Sequence, residues 1–368
     1  MEQRVIKIAA IFMVLFMAVT CVVLFYLPGF HEKMVAAQEQ TMSQEDAGTH
    51  MDMVEIGSTD GAAEEEITFS QQLRITLPDG VTQEQVSIQD QYVTQTVDIM
   101  FPGAGTDYLY HSPIIGRSDH IDNLTFESEG GQGVIEITLD KVFEVQPTFL
   151  DGYLYLDFIS LHDIYDKVVV IDAGHGGNMP GATIGGQCEK DIDLAIVLQL
   201  KQIFEENPDS RIGVYYTRVD DTNPSFEDRV GLANKSDADL FISVHNNSTV
   251  SGKTSSVNGT AVMYDELKED NGHGTKELAQ ICVDEVSGAL GSRNRGIING
   301  NEIYIIRNSE VPVALIEVGF MTNATELQNL SSPEYQRQTA QGIYNAIMRA
   351  FQAVSYTHLR AHETRRHL

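Results

Sequence analysis

The chain has 368 residues, room for two domains and a core of ordinary size, and its 53 acidic and 24 basic side chains give a formal net charge of -29. Such an acidic balance argues against nucleic acid, or an anionic bilayer surface, as a partner. Three cysteines, Cys21, Cys188 and Cys282, are too few for a disulfide framework and match no zinc-finger spacing.

Arg4 and Lys7 precede an uncharged run from Ile8 to Leu27, and Glu32 follows it. A helix of that length spans a hydrocarbon core of about 30 Å. The charge order places the amino terminus in the cytoplasm and the rest of the chain outside. The competing reading is a cleaved signal peptide with Val35-Ala-Ala37 as its small-residue site. A signal core is usually shorter, about 7–15 residues, so an uncleaved anchor within residues 1–37 is preferred. Both readings give an extracytoplasmic protein, either membrane-anchored or secreted. Residues 38–66 are rich in Gln, Ser, Gly and acids with few large apolar side chains, which predicts a flexible linker.

Residues 67–160 change to short alternating runs. Leu73–Leu77, Tyr92–Met100, Val134–Leu139 and Tyr153–Phe158 read as strands separated by glycine-rich turns, which predicts a small all-β, sandwich-like domain. His111 and His120 are isolated there and read as surface histidines. The pattern and its position resemble an AMIN-type wall-targeting domain.

From Asp166 onward strands alternate with helical stretches. Val168-Val-Val-Ile-Asp-Ala-Gly-His-Gly-Gly177 is a buried strand running into a glycine-rich turn that holds His175. A helix follows from about Lys190 to Glu206, then a strand at Arg211–Tyr216. Next comes a short helix from Ser225 to Asn234, with Ser225 as N-cap and Asp228 three residues on. Leu240–Val244 is a second buried strand ending in His245. Gly259–Tyr264 is a strand, Gly274–Leu290 a helix and Glu302–Ile306 a short strand. Val313–Ile316 is a third buried strand, closed by Glu317, and a helix from about Pro333 to Phe351 ends the domain. This alternation predicts an α/β domain over 166–352, its sheet largely parallel and covered by helices on both faces. The histidine- and arginine-rich stretch 355–368 continues no periodicity and reads as a non-native tail.

Three buried runs thus end in His175, His245 and Glu317, and Glu189 opens the first helix after a glycine turn. If the strands are parallel neighbours, two imidazoles and two carboxylates share one sheet edge, where open α/β sheets bind ligands. A zinc hydrolase uses such a set: two histidines and one glutamate hold the metal, a fourth position takes water, and the other carboxylate handles its proton. Taken alone, a loop histidine and a glutamate favouring a helix start through its dipole are equally compatible with His175 and Glu189. Glu317, closing an apolar run, is harder to bury without a partner.

Asp-Ala-Gly-His-Gly-Gly at 172–177, Gly181-Ala182, Gly185, Glu189-Lys190, Thr217-Arg218, Arg229, Ala233-Asn234, Ala238–Asn246, Arg295-Gly296 and Val313–Phe320 together resemble the zinc-dependent N-acetylmuramoyl-L-alanine amidases of the type-three family. The resemblance implies His175, Glu189 and His245 as ligands of one zinc ion and Glu317 as the catalytic glutamate. It implies cleavage, in peptidoglycan, of the amide between N-acetylmuramic acid and L-alanine by a zinc-activated water. A zinc peptidase of related fold and a non-catalytic wall-binding protein are the alternatives. Arg295 and Asn246 are candidate substrate contacts. Asn178-Met179 departs from the family, which usually carries an acidic residue nearby. Only Asp265 to Asn271 separates Tyr264 from the next helix, too short for a blocking helix, which predicts an open groove.

Overall fold

The structure is a computed structural model and describes residues 73–365 apart from 117, 208–210 and 272–273, with side chains in the last helix described as far as Gln352. The expected membrane anchor and the linker lie outside the described residues. Among the described residues no helix is long and apolar enough to cross a membrane.

The first half is built by strands that bury alternate side chains. A four-stranded antiparallel sheet has the order β2-β3-β5-β4, from β2 (Ser87–Gln91), β3 (Thr96–Pro102), β4 (Ile121–Glu129) and β5 (Gln132–Leu139). A three-stranded antiparallel sheet has the order β1-β7-β6, from β1 (Leu73–Thr76), β6 (Phe143–Leu150) and β7 (Tyr153–Ser160). Val97, Ile99, Phe101, Ile135 and Ile137 from the larger sheet share one core with Ile75, Leu154 and Leu156 from the smaller. That is the expected sandwich, with a one-turn helix, α1 (Tyr108–His111), added at its side. The expected strand at Tyr92 begins only at Thr96, because residues 92–95 make a turn with Gln95 at φ 56°.

A single turn, α2 (Leu161–Ile164), leads into β8 (Lys167–Ala173), whose last six residues are buried. Eight further strands and helices follow in order. They are the hairpin β9 (Thr183–Ile184) and β10 (Gln187–Cys188), helix α3 (Glu189–Glu205), β11 (Ile212–Tyr216), α4 (Phe226–Lys235), β12 (Leu240–Asn247), β13 (Thr260–Tyr264) and α5 (Thr275–Leu290). Then come β14 (Asn294–Asn299), α6 (Tyr304–Asn308), β15 (Val313–Phe320), α7 (Ala324–Leu330) and α8 (Pro333–Arg365). Ser225 caps α4 as expected, accepting from the Asp228 amide while the Asp228 carboxylate accepts from the Ser225 amide.

The six-stranded sheet has the order β11-β8-β12-β15-β13-β14. All neighbours are parallel except β13 against β15, so the largely parallel sheet contains one reversed step. On one face Val169, Ile171, Ile242, Val244 and Ile316 pack against α3, α5 and α8. On the other, Val168, Val170, Phe241, Val313 and Leu315 pack against α4 and α6, and Val142 and Leu161 join this cluster from the sandwich side. Sandwich and sheet accordingly belong to one compact unit, Thr68–Leu368. The strand expected at Glu302–Ile306 is instead helical from Tyr304, with Ile305 and Ile306 buried beneath the sheet. The terminal helix runs on to Arg365.

Candidate metal centre

The centre sits at the carboxyl end of three adjacent parallel strands, β8, β12 and β15. His245 and Glu317 are register partners on β12 and β15. Both share parity with Phe241 and Leu315, so they project on the α4 side of the sheet. His175 follows β8 on a tight loop in which the Gly176 and Met179 amides and carbonyls exchange two hydrogen bonds.

His175 has φ 57°, a left-handed conformation that costs a non-glycine residue about 1–2 kcal/mol. Two buried guanidinium groups fix it. Arg218 donates to the carbonyls of Ala173 at 2.9 Å, Gly174 at 2.6 Å and Lys190 at 2.9 Å. Arg229 donates to the carbonyls of Ala173 at 2.8 Å and His175 at 2.6 Å, and pairs with the Asp172 carboxylate. Asp172, 1% exposed, also accepts from Thr217 and Ser243, each at 2.6 Å. Burial alone would raise its carboxyl pKa, but the Arg229 charge and the two hydroxyls hold it below the usual range.

Two glycines leave room for the ligands. A Cβ at Gly174 would lie 2.3 Å from His245 Cε1, and one at Gly181, where φ is +65°, would lie 2.6 Å from Glu189 Oε2. Glu189 reaches in from the first residue of α3. Its Oε1 lies 3.1 Å from His175 Nε2 and 3.0 Å from His245 Nδ1, and accepts from the Asn246 amide at 3.2 Å. Its Oε2 accepts from the Ala182 amide at 2.8 Å. Burial works against this carboxylate, yet the two imidazoles hold its pKa well below the ordinary range. Burial likewise opposes charge on His245, but Glu189, Asp193 and Glu317 push it up to about 9.

One more carboxylate faces the cluster: Asp193, one turn along α3 and fully buried. Its Oδ1 accepts from Asn246 Nδ2 at 2.8 Å, and Oδ2 is without a partner. The ligand atoms of His175, Glu189, Asp193 and His245 lie within 4.8 Å of one another. Glu317 lines the same cavity, of about 360 Å³, with its Oε2 buried and unpartnered. Burial pushes the Glu317 carboxyl up to about 7, with His245 opposing the shift and Glu189 adding to it.

These observations fit a bound divalent cation. Two imidazoles and a carboxylate are ordinary zinc donors, and converge on one point. Buried carboxylates gather here, with one oxygen each of Asp193 and Glu317 left without a hydrogen-bond partner, and a dication supplies compensating charge.

His175, Glu189, His245 and Glu317 are therefore brought together. Asn246 lines the cavity, but its side-chain nitrogen is taken by Asp193. Arg295 is exposed on β14, its guanidinium 5.2 Å above the Phe320 ring and donating to the Asn258 carbonyl, and it does not line the cavity. Cys188 and Cys282 are both free thiols. The Glu266–Asn271 segment is a short 3-10 turn, and Glu266, Leu267 and Lys268 do not line the cavity. Asp193 was not singled out from the sequence; its signal is the four-residue spacing from Glu189, which puts both carboxylates on one helix face.

A sequence profile of the family described as N-acetylmuramoyl-L-alanine amidase matches residues 169–349. YqiI, an uncharacterized protein of Bacillus subtilis (strain 168), is 36% identical over 184 residues, spanning 50% of this chain and 84% of that protein. The germination-specific N-acetylmuramoyl-L-alanine amidase of the same organism is 33% identical over 199 residues, spanning 50% of this chain and 80% of that one. A crystal structure of N-acetylmuramoyl-L-alanine amidase from Clostridium difficile 630 is 34% identical, overlaps 50% of this chain and 97% of that one, and gives a TM-score of 0.47. With the sheet-edge centre in place, the family profile and the 33% identity over 80% of the germination-specific amidase lead to one assignment: this chain belongs to the N-acetylmuramoyl-L-alanine amidases, a family of hydrolytic enzymes.

Proposed function

We propose that the chain is a zinc-dependent hydrolase acting outside the cytoplasmic membrane on peptidoglycan, cleaving the amide between the lactyl group of N-acetylmuramic acid and the L-alanine of the stem peptide. The observation that carries the reading is the convergence of His175, Glu189 and His245 beside a buried, unpartnered glutamate in one cavity. Zinc bound at that point supplies Lewis acidity and lowers the pKa of a water to about 7.

The chain's own groups do the rest. The backbone amides of Ala182 and Asn246 fix the Glu189 carboxylate as a ligand that would face both imidazoles, and Arg218 and Arg229 hold the loop that aims His175. Glu317 Oε2 accepts a proton from the attacking water and returns it to the departing L-alanine nitrogen. As the water oxygen joins the lactyl carbonyl carbon, the carbon–nitrogen bond breaks. Burial raises the Glu317 carboxyl above the ordinary range, which suits a group that must both take and return a proton. The β-sandwich is the region proposed to bring the enzyme to the wall, in keeping with its AMIN-like pattern, and the segment within residues 1–37 is proposed to tether the chain to the membrane.

The test is Glu317→Ala in the zinc-loaded protein. Turnover should fall by at least about 100-fold, as for loss of a general base, with one zinc still bound per chain. Loss of zinc with the side chain would assign Glu317 to the metal instead and break the proposed division of roles.

A further inference from the structure

Asp193 is a carboxylate that the proposed chemistry does not use, and its placement is costly. It is fully buried, it lies on α3 one turn beyond Glu189, and one of its oxygens has no partner. Among the described residues no lysine or arginine pairs with it; its hydrogen bond comes from the neutral Asn246 side chain. Burial pushes its carboxyl well above the usual range, while Glu189 and Glu317 act on it as anions and His245 and Arg218 as cations. A packed aliphatic or amide side chain would fill the same space without the desolvation cost of a buried carboxylate that has no ion-pair partner in contact.

Resting on the zinc reading above, we propose that Asp193 is a positioning residue of the metal centre: a carboxylate, held beside the three ligands by Asn246, whose charge strengthens cation binding at the expense of metal-free stability. Geometry separates this role from that of a fourth ligand. His175, Glu189, His245 and Glu317 all line the cavity, whereas Asp193 does not, and its Oδ1 is taken by the Asn246 side chain. Its ligand atom still lies within 4.8 Å of those of the other three, close enough to act as a charge behind them. The tether is also placed to act on a ligand. Asn246 follows His245 in the chain, its side chain donates to Asp193 Oδ1, and its backbone amide donates to Glu189 Oε1. One asparagine thus ties the outer carboxylate to the inner one.

Asp193→Asn in the full-length chain tests the proposal, because the new amide oxygen still accepts from Asn246 while the charge is gone. Zinc affinity, by chelator competition, should fall about 10- to 100-fold, the range for groups supporting metal ligands. The melting temperature of the metal-free variant should equal or exceed that of the wild type, and the increment gained on adding zinc should shrink. Asn246→Ala removes the tether but keeps the charge, and should lose less affinity than Asp193→Asn.

Affinity within threefold of wild type in Asp193→Asn overturns the proposal. So does a lowered metal-free melting temperature, which would mark Asp193 as a structural anchor, or an Asn246→Ala loss as large as that of Asp193→Asn. Wild-type protein that binds no zinc removes both this inference and the reading beneath it; wild-type binding matched by Asp193→Asn removes this inference alone.

Discussion

Arg229→Met probes the scaffold behind the ligands. It removes a guanidinium 3% exposed from beside a carboxylate 1% exposed and leaves Asp172 with only the Thr217 and Ser243 hydroxyls. It also strips the Ala173 and His175 carbonyls of their Arg229 hydrogen bonds, the second of which supports a left-handed residue. Breaking a buried ion pair from one side costs about 3–5 kcal/mol. A domain of 150–250 residues shifts by about 2–4 °C per kcal/mol and a larger unit by less, so the melting temperature should fall by several degrees, at most about 20 °C. Asp172→Asn combined with Arg229→Met removes the orphaned charge and should recover at least about 1 kcal/mol of the loss. Urea denaturation followed by two probes measures the stabilities, and zinc titration of the folded variant should show weaker binding because the His175 loop is released. An Arg229→Met protein within about 1 kcal/mol of wild type, or a double variant worse than the single one, would refute this account of the loop.

Other expectations can be checked independently. Gly181→Ala places a Cβ 2.6 Å from Glu189 Oε2 at a backbone of φ +65°, so zinc binding should be lost while stability drops by about 1–2 kcal/mol, readable by calorimetry with and without metal. Glu317 gives kcat/KM an acid limb at or below about 7, since a bound cation lowers a neighbouring carboxyl, and Glu317→Gln should remove that limb from the residual rate. In the metal-free protein the same group sets a stability slope. The folded carboxyl keeps its proton to about 7 against 4.5 when unfolded, so stability falls as pH rises through that window, and Glu317→Gln should flatten the fall. Phe226 is 60% exposed, lines the cavity and stacks on Tyr304 at 5.8 Å. Phe226→Ala should remove about 0.5–1.5 kcal/mol of ring contact with the substrate, a rise of about 2- to 13-fold in KM at near-constant kcat.

The centre was legible because its strands are buried on both faces. Val168–Ile171 and Val313–Ile316 are unbroken apolar runs and Leu240–Val244 is interrupted only by Ser243, and the polar residue closing each run emerges where the sheet meets the cavity. Direction was less readable: the apolar run of β13 carries no mark of its antiparallel pairing with β15. Ile303-Tyr-Ile-Ile306 reads as a strand from its β-branched content, but short apolar runs do not distinguish strand from helix, and two buried isoleucines serve a helix equally well. β2 buries none of its residues fully and so lacks the alternation that marked its neighbours. α7 did carry a signal, Asn323 with Glu326 three residues on, and Asn323 does cap it. The partners of Arg218 and Arg229 were hidden for another reason. Their partners are mainly backbone carbonyls, which no side-chain pattern reports.

The measurement closest to the central claim is end-group analysis of purified peptidoglycan digested by the zinc-loaded full-length chain. The expected result is equal numbers of new L-alanine amino termini and muramic acid lactyl carboxylates, absent with the Glu317→Ala protein. New amino groups from other stem-peptide residues, new reducing sugar ends, or the same products from Glu317→Ala would contradict it.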